Sequence, residues 1–417
     1  MGYFFTLMYI FILFVRPQEF LGPIKGLPLL DYTTAACVCM VFLEGEFRAE
    51  KFRRSPLNVL MLLFWVYLSL TWVPNGWAGG VVVVFQRLAK VVVLYYLIML
   101  TVTTRRRLKG LLWTLAFMGC FLAAQAIVQF YTGVGLVGGE ALRRGQVLQA
   151  RGIGIFADPN DLALYMVSIV PFLLPAFHKR VMSATSITGV MFLIPLLTGI
   201  VFTRSRGGLL GLATVAWFYL RRRVGIVFSV VGLLLLFSLL MAIPRMEKIN
   251  PKQGSARTRL EHWTYGLGLL RSHPIFGVGV GGFTENYPTT AHNSFILVLA
   301  EGGLIGGTLW IALIYATLRH INLLRKIETP PPWLEPFTNA LEAAFMGWMV
   351  CAFFLSHTYK FMGFILMGIA AAAMNVLASE GIDVRLPWKL RHTFASVVLC
   401  AAGVVFMHLM VTLLWRL

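Results

Sequence analysis

The 417-residue chain is 58% hydrophobic with glycine left out, and its 39 glycines bring the apolar share to about 67%, against roughly 45–50% in soluble domains. Only 13% of residues are charged, about half the usual quarter, too few to cover a body in water. These figures exclude secreted, cytosolic and disordered chains and predict an all-α, polytopic integral membrane protein. A net charge of +19 would suggest nucleic acid in a soluble protein, but here the location of the charges decides, and no nucleic-acid partner is expected.

Crossing the hydrocarbon core takes about 20 apolar residues per helix. In chain order, apolar runs bounded by charges, proline or glycine predict about 12–13 transmembrane helices. They fall at roughly 2–15, 29–43, 57–73, 81–100, 111–130, 159–177, 185–202, 208–220, 224–243, 293–318, 339–355, 361–378 and 393–415. The first lacks the basic start and small-residue cleavage site of a signal peptide, so it reads as an anchor. Cys37, Cys39, Cys120, Cys351 and Cys400 all sit in apolar runs, pattern neither a metal site nor a disulfide framework, and read as small buried hydrophobes. Pro330-Pro331-Pro332-Trp333 reads as a stiff connector and interface anchor.

Alternate connections collect the basic residues: Arg48 to Arg54, Arg105 to Lys109, Lys179–Arg180, Arg221–Arg223, Arg319 to Lys326 and Arg385 to Arg391. These short loops hold 19 of the 36 Lys and Arg, which the positive-inside rule assigns to the cytoplasm. The loops 131–158 and 244–292 then face outward, the second a large outer loop carrying short helices. Arg87 and Lys90 lie within the fourth span, and the other 15 basic residues lie outside, against the bias. An anionic partner on the outer face, or ordinary contact with lipid phosphates, would offset them.

Four stretches stand out, all on that outer side. In Arg151-Gly-Ile-Gly-Ile-Phe-Ala-Asp-Pro-Asn-Asp-Leu-Ala163, a turn leads into a span, and Asn160 or Asp161 is expected to cap its amides. In Phe202-Thr203-Arg204-Ser205-Arg206-Gly207-Gly208, two guanidiniums stand between apolar helices with almost no loop. They either fork around a phosphate or snorkel, while Gly207, Gly208 and Gly211 allow close helix packing. The third stretch holds Arg257, Arg259 and Trp263, the last two i, i+4 on a short helix, so that the indole either holds the guanidinium or stacks on a sugar. It continues through His273-Pro-Ile-Phe-Gly277-Val-Gly279-Val-Gly-Gly282, whose glycines match a dinucleotide fingerprint without its βαβ setting and read as a close-approach turn. The fourth, His292-Asn293-Ser294, opens a span that runs on through Glu301 to Gly307. His292 is placed to orient or deprotonate a hydroxyl, and the paired glycines of Gly302 to Gly307 read as helix-packing motifs.

Taken together, these stretches resemble the bacterial O-antigen ligase and O-antigen polymerase family of integral membrane glycosyltransferases. The matching pieces are Arg151 with the run to Asn160, Ser205-Arg206-Gly207, Arg259-x-x-x-Trp263, Pro274-Ile275-Phe276-Gly277-x-Gly279 and His292-Asn293, in that order. The resemblance implies a single membrane domain over 1–417, with the outer loop 131–158 and a ligase-like core region over 200–310. It also implies a donor glycan on undecaprenyl diphosphate, an acceptor hydroxyl on a glycan or on lipid A–core, and surrounding membrane lipids as further partners. The chain would lie in the bacterial inner membrane with its active site facing the periplasm, inverting the anomeric centre without metal or other cofactor. By the same resemblance, Arg206 and Arg259 grip the leaving diphosphate and His292 serves the acceptor hydroxyl. Arg151, Arg204, Arg257, Trp263 and Asn293 bind the diphosphate or glycan.

Fixed guanidiniums suit that chemistry, because a leaving diphosphate develops negative charge and the outer loops carry no Asp-x-Asp pair to hold a cation. Arg143, Arg144 and Lys360 are possible assistants, with His357 and Tyr359 lesser candidates in another outer connection. The chain ends just after its last span, which argues against a folded protein acceptor; ligase and polymerase stay open. Two competing readings are a transporter, for which Arg87, Lys90 and Glu342 are the intramembrane candidates, and a non-catalytic scaffold. Arg87 and Lys90, i, i+3 on one face, could instead meet the amphiphilic substrate.

Overall fold

The computed structural model describes residues 1–144, 147–156, 158–174, 184–221, 225, 232, 255–285 and 287–416. Among them fourteen α-helices and one two-stranded hairpin carry the chain, an all-α membrane architecture. The helices are α1 (Gly2–Val15), α2 (Leu29–Leu43), α3 (Ala49–Arg53), α4 (Pro56–Leu70), α5 (Gly79–Thr101), α6 (Arg105–Thr132) and α7 (Pro159–Leu173). They continue with α8 (Ala184–Thr203), α9 (Arg206–Leu220), α10 (Ser255–Ser272), α11 (Ser294–Leu324), α12 (Leu334–Phe353), α13 (Phe361–Ser379) and α14 (Leu390–Arg416). Six of these, α5, α6, α8, α11, α13 and α14, are long and apolar enough to cross a membrane by length and composition. Four shorter apolar helices are α1, α2, α4 and α7.

Most expected spans coincide with a helix. The candidate at 224–243, the end of the one at 159–177, the loop stretch 244–254, and Lys179, Arg180, Arg222 and Arg223 lie outside the described residues, residues 225 and 232 apart. The amphipathic α3 and the hairpin of β1 (Leu142–Arg144) and β2 (Val147–Gln149) carry no long apolar run and were not expected. Cys37, Cys351 and Cys400 are buried and Cys120 is partly so, but Cys39 is exposed. A two-residue step turns a helix by about 200°, so it faces away from Cys37.

Contacts divide the chain into two compact units. The first comprises Met1–Phe47, Leu100–Met246 and Leu324–Cys351. In it α7, buried along nearly its whole length, packs on α6, α8 and α9. Small residues set the close approaches, as expected where lipid removes the hydrophobic drive between helices. A Cβ on Gly347 would lie 3.2 Å from the Gly211 carbonyl, and the Cys351 thiol reaches the Gly207 carbonyl at 3.4 Å. Glu342, a candidate for an ion path, is instead held by Arg221 (3.0 Å) and Arg325 (2.7 Å), a fixed bridge at the helix ends.

The second unit comprises Arg48–Met99, Glu247–Leu323 and Ala352–Leu417. Its α13 is almost wholly buried, whereas α14 leaves Phe394, Val405, Phe406, Leu409 and Leu413 exposed, as lipid contact allows. Asn58 joins α4 to α5, accepting from the Tyr95 hydroxyl at 2.6 Å. The main irregularity is in α11, which breaks at Gly303 (φ 63, ψ −164). The loop Pro274–Gly282 lies on the break, donating from Val278 to the Ala300 carbonyl and from Gly279 to the Glu301 carbonyl, both at 3.0 Å, while Leu304 donates to Pro274 at 2.8 Å. Gly303 was expected to be a packing glycine; it is the break itself, because its backbone conformation is open essentially to glycine alone. Gly302 and Gly306 do pack, against Leu68 and Tyr67.

Any Cβ at Gly303 would collide with the Ile275 carbonyl, whereas one at Gly403, within α14, meets nothing within 4 Å. Gly303→Ala should therefore cost about 1–3 kcal/mol or more, and Gly403→Ala should be neutral or stabilise by about 0.5–1 kcal/mol. Melting temperatures of the two purified variants would check this; equal behaviour would mean α11 is not broken.

Candidate active site

In the first unit the hairpin lies between α6 and α7, and two buried glutamines on α6 hold the loop around it. Gln125 donates to the Gly138 carbonyl at 2.6 Å, and Gln129 donates to Gly139 at 3.1 Å while accepting from the Arg151 amide at 2.9 Å. The Arg151 guanidinium donates from Nε to the Glu140 carbonyl at 2.7 Å. A four-residue relay then ties the Arg151 stretch to the Arg204–Arg206 stretch. Asp158 accepts from the Asn160 amide (2.7 Å) and side chain (2.8 Å), Asn160 accepts from the Ser205 hydroxyl (2.6 Å), and Ser205 accepts from the Gly208 amide (3.0 Å). The α7 cap is thus Asp158 and not Asn160 or Asp161, because Asn160 is spent on Ser205.

That relay fixes the start of α9. Arg204 takes a left-handed φ of 52 and lays its guanidinium 5.2 Å from the Phe130 ring, which stacks on Phe202 at 4.2 Å. Arg206, on the first turn of α9, is exposed. Arg143 is exposed at the hairpin. Arg16, not singled out from sequence, is also left-handed (φ 50) and sits against Gly154 of the Arg151 stretch.

In the second unit α10 runs for 18 residues, longer than the short helix expected. Arg259 lies 5.7 Å from the Phe354 ring and Trp263 meets Phe353 edge-on at 5.7 Å, so the i, i+4 pair grips two consecutive phenylalanines. At 5% exposure Trp263 is a core anchor among Leu260, Ala291 and Met407, so of its two expected roles the geometry favours holding over sugar stacking. Arg257 is on the surface, 3.6 Å from Glu261.

Between them on α10 is His262, 4% exposed, which sequence reading passed over because nothing marks it out locally. Its ring stacks on His292 at 5.5 Å and 19°, meets Tyr287 edge-on, and bonds through Nε2 to the Thr289 hydroxyl at 2.9 Å. Burial first, then the nearby charge of His292 and Arg259, push its pKa below the usual histidine value, with Glu261 opposing; the ring is neutral at pH 7. His292 is partly exposed and left-handed (φ 49). Asn293, fully buried, caps α11 by accepting from Phe295 (2.9 Å) and Ile296 (3.0 Å), so its side-chain oxygen has structural work. The connection 354–360 is stapled to this corner: Ser294 donates to the Leu355 carbonyl at 2.6 Å and accepts from the His357 amide at 2.8 Å.

Glu301, 2% exposed, stands about two turns further along α11 and accepts from the Phe283 amide at 3.3 Å. Burial of Tyr359, and then its closeness to Glu301, hold the phenol well above the usual tyrosine range. Arg87, exposed within α5, adds a smaller opposing influence on the Tyr359 phenol.

Residues 191–311 match the family described as O-antigen ligase, and residues 2–181 match a family of unknown function (DUF5935). The ligase match supports kinship with the O-antigen ligase and polymerase family over residues 191–311. No curated protein matches it. The match supports O-antigen ligase or polymerase-type glycosyl transfer at the level of the family. The ligase match takes in Arg204, Arg206, Arg257, Arg259, Trp263, His292 and Asn293; Arg151 lies before it, in the segment of unknown function.

A histidine held neutral stabilises the fold only while it stays neutral. Its contribution is complete above the unfolded value near 6.5 and falls away as pH drops through the lowered folded value. Wild-type melting temperature should therefore decline below about pH 6.5, and His262→Gln should flatten that decline. An unchanged slope in the variant would show that His262 is not buried neutral.

Proposed function

We propose that the protein transfers a glycan from undecaprenyl diphosphate to an acceptor hydroxyl, inverting the anomeric centre, with His292 as base and Arg259 and Arg206 stabilising the leaving diphosphate. The acceptor oxygen bonds to the anomeric carbon as the bond from that carbon to the phosphate oxygen breaks. The hydroxyl proton passes to His292, and the electron pair leaves with the diphosphate. Single displacement inverts the centre. Charge grows on the leaving oxygen, and a guanidinium already fixed nearby needs no reorganisation to meet it.

The observation that carries this reading is the corner formed by His292, His262 and Arg259. His292 is held strained at the mouth of α11, stacked on a neutral imidazole, with Arg259 close enough to act on the same ring. Because His262 is uncharged, His292 takes up a proton without an imidazolium against it. Arg259, seated on Phe354, keeps its position as charge develops. An apolar groove of about 210 Å³, lined by Phe295, Leu299, Trp310, Phe353, Phe406 and Met407, shares Phe353 with the Trp263 anchor and suits an isoprenoid chain. Arg151 and Arg204, tied to Arg206 through Asn160 and Ser205, add diphosphate or glycan contacts in this reading, while Arg257 and Asn293 are left with weaker claims. The chain would sit in the bacterial inner membrane with this corner facing the periplasm.

The test is a transfer assay with undecaprenyl-diphosphate-linked glycan and EDTA present, offering lipid A–core and a second lipid-linked repeat in separate reactions. Arg206→Ala, Arg259→Ala and His292→Ala should each remain inserted and folded and lose about 10²–10³ in rate. Wild-type activity in any one removes that residue from the chemistry, and loss of wild-type product on chelation contradicts metal independence.

A further inference from the structure

Three basic residues at one end of the second unit have no acidic partner among the described residues. Arg319, near the end of α11, donates to the Pro387 carbonyl at 3.3 Å and lies 3.0 Å from Nδ1 of buried His392. Lys389 donates its amide to the same nitrogen at 2.9 Å, and Arg391 Nε lies 3.3 Å from the other ring nitrogen. Both side chains on α14 and its approach are exposed. Among the described residues no carboxylate pairs with any of the three: Asp383, the acid closest in sequence, is engaged by Arg54 at 3.2 Å and Arg385 at 3.0 Å. By the positive-inside rule all three belong to cytoplasmic loops.

Beside this cluster an apolar groove of about 390 Å³ runs between α4, α11 and α14, walled by Val59, Leu60, Leu63, Leu309, Ala312 and Trp388. Trp388 joins the two parts. Its indole donates to the Thr393 hydroxyl at 2.9 Å, and its ring packs on His392 at 5.4 Å and edge-on to Tyr315 at 6.1 Å. Tyr315 in turn lies 5.9 Å from the Arg319 guanidinium. A tryptophan and tyrosine at the interface, uncompensated cations above and an aliphatic trough below repeat the amphiphilic order of one lipid molecule.

We propose that this end of the second unit binds one anionic diacyl phospholipid of the cytoplasmic leaflet, its phosphate on Arg319, Lys389 and Arg391 and one acyl chain in the groove. Charge complementarity selects the occupant: three unopposed cations disfavour a zwitterionic headgroup, whose own ammonium would meet them. The site is independent of the proposed glycosyl transfer, and its success or failure leaves that reading untouched.

Native mass spectrometry of the delipidated full chain, titrated with phosphatidylglycerol or phosphatidylcholine, tests it. The wild type should retain one phosphatidylglycerol at least about tenfold more strongly than phosphatidylcholine. Lys389→Gln/Arg391→Gln, two exposed residues outside any ion pair, should erase most of that preference. Val59→Trp, at an exposed wall of the groove, should weaken retention of either lipid without altering charge. Arg105→Gln/Arg106→Gln removes equal charge from exposed positions at the start of α6, on the side the positive-inside rule assigns to the cytoplasm, and should change nothing. Equal retention of both lipids, an unaffected double variant, or an equal loss in the Arg105/Arg106 control would overturn the proposal.

Discussion

Hydrocarbon offers no water to an unpaired backbone carbonyl, and each one left bare costs several kcal/mol. Breaking α11 at Gly303 therefore requires replacement donors, and the Pro274–Gly282 loop brings them. Val278 and Gly279 pair with Ala300 and Glu301, while the single Tyr67 hydroxyl proton is shared between the Ile275 and Gly302 carbonyls, at 3.0 and 2.8 Å. Trp72 and Asn75 hold the loop from α4 and its C-terminal turn, donating to the Val280 and Gly277 carbonyls at 3.0 Å. Without that docking the first half of α11 would have no fixed direction, and His292, Asn293 and Glu301 all hang from it.

Strain marks a few backbone positions. Among the described residues, the non-glycine positions with left-handed backbone are Arg16 and Arg204 in the first unit and His292 in the second. Such residues cost of order 1–3 kcal/mol each and persist only where neighbours over-determine them. For Arg204 the neighbours are the Asn160–Ser205 relay and Phe130; for His292 they are the Asn293 cap, the His262 ring and the connection after Leu355. Two of the three were singled out from sequence on chemistry alone, which strengthens the case that the strain serves function.

Hydropathy made the helices legible, because a span must be apolar over a set length whatever it packs against. The ordered motifs made the family legible, through residues that an apolar scaffold does not otherwise need, such as Arg206, Arg259 and His292. Partnerships were not legible. Nothing in the sequence marked Gln125 and Gln129 as holding a loop, and His262 had no local signature because its significance lies in a ring 30 residues away. Gly303 read as a packing residue, because a helix break stabilised by a distant loop leaves no periodicity to detect. Trp263 left two roles open, holding the guanidinium or stacking on a sugar, and only its burial favours the first.

The most direct test of the central claim follows the donor itself. Purified protein in liposomes, given undecaprenyl-diphosphate-linked glycan and acceptor, should release one free undecaprenyl diphosphate for each glycan joined, with the new linkage of opposite anomeric configuration. Glycan crossing the bilayer on an intact donor, with no diphosphate released, would contradict the account and make the protein a transporter.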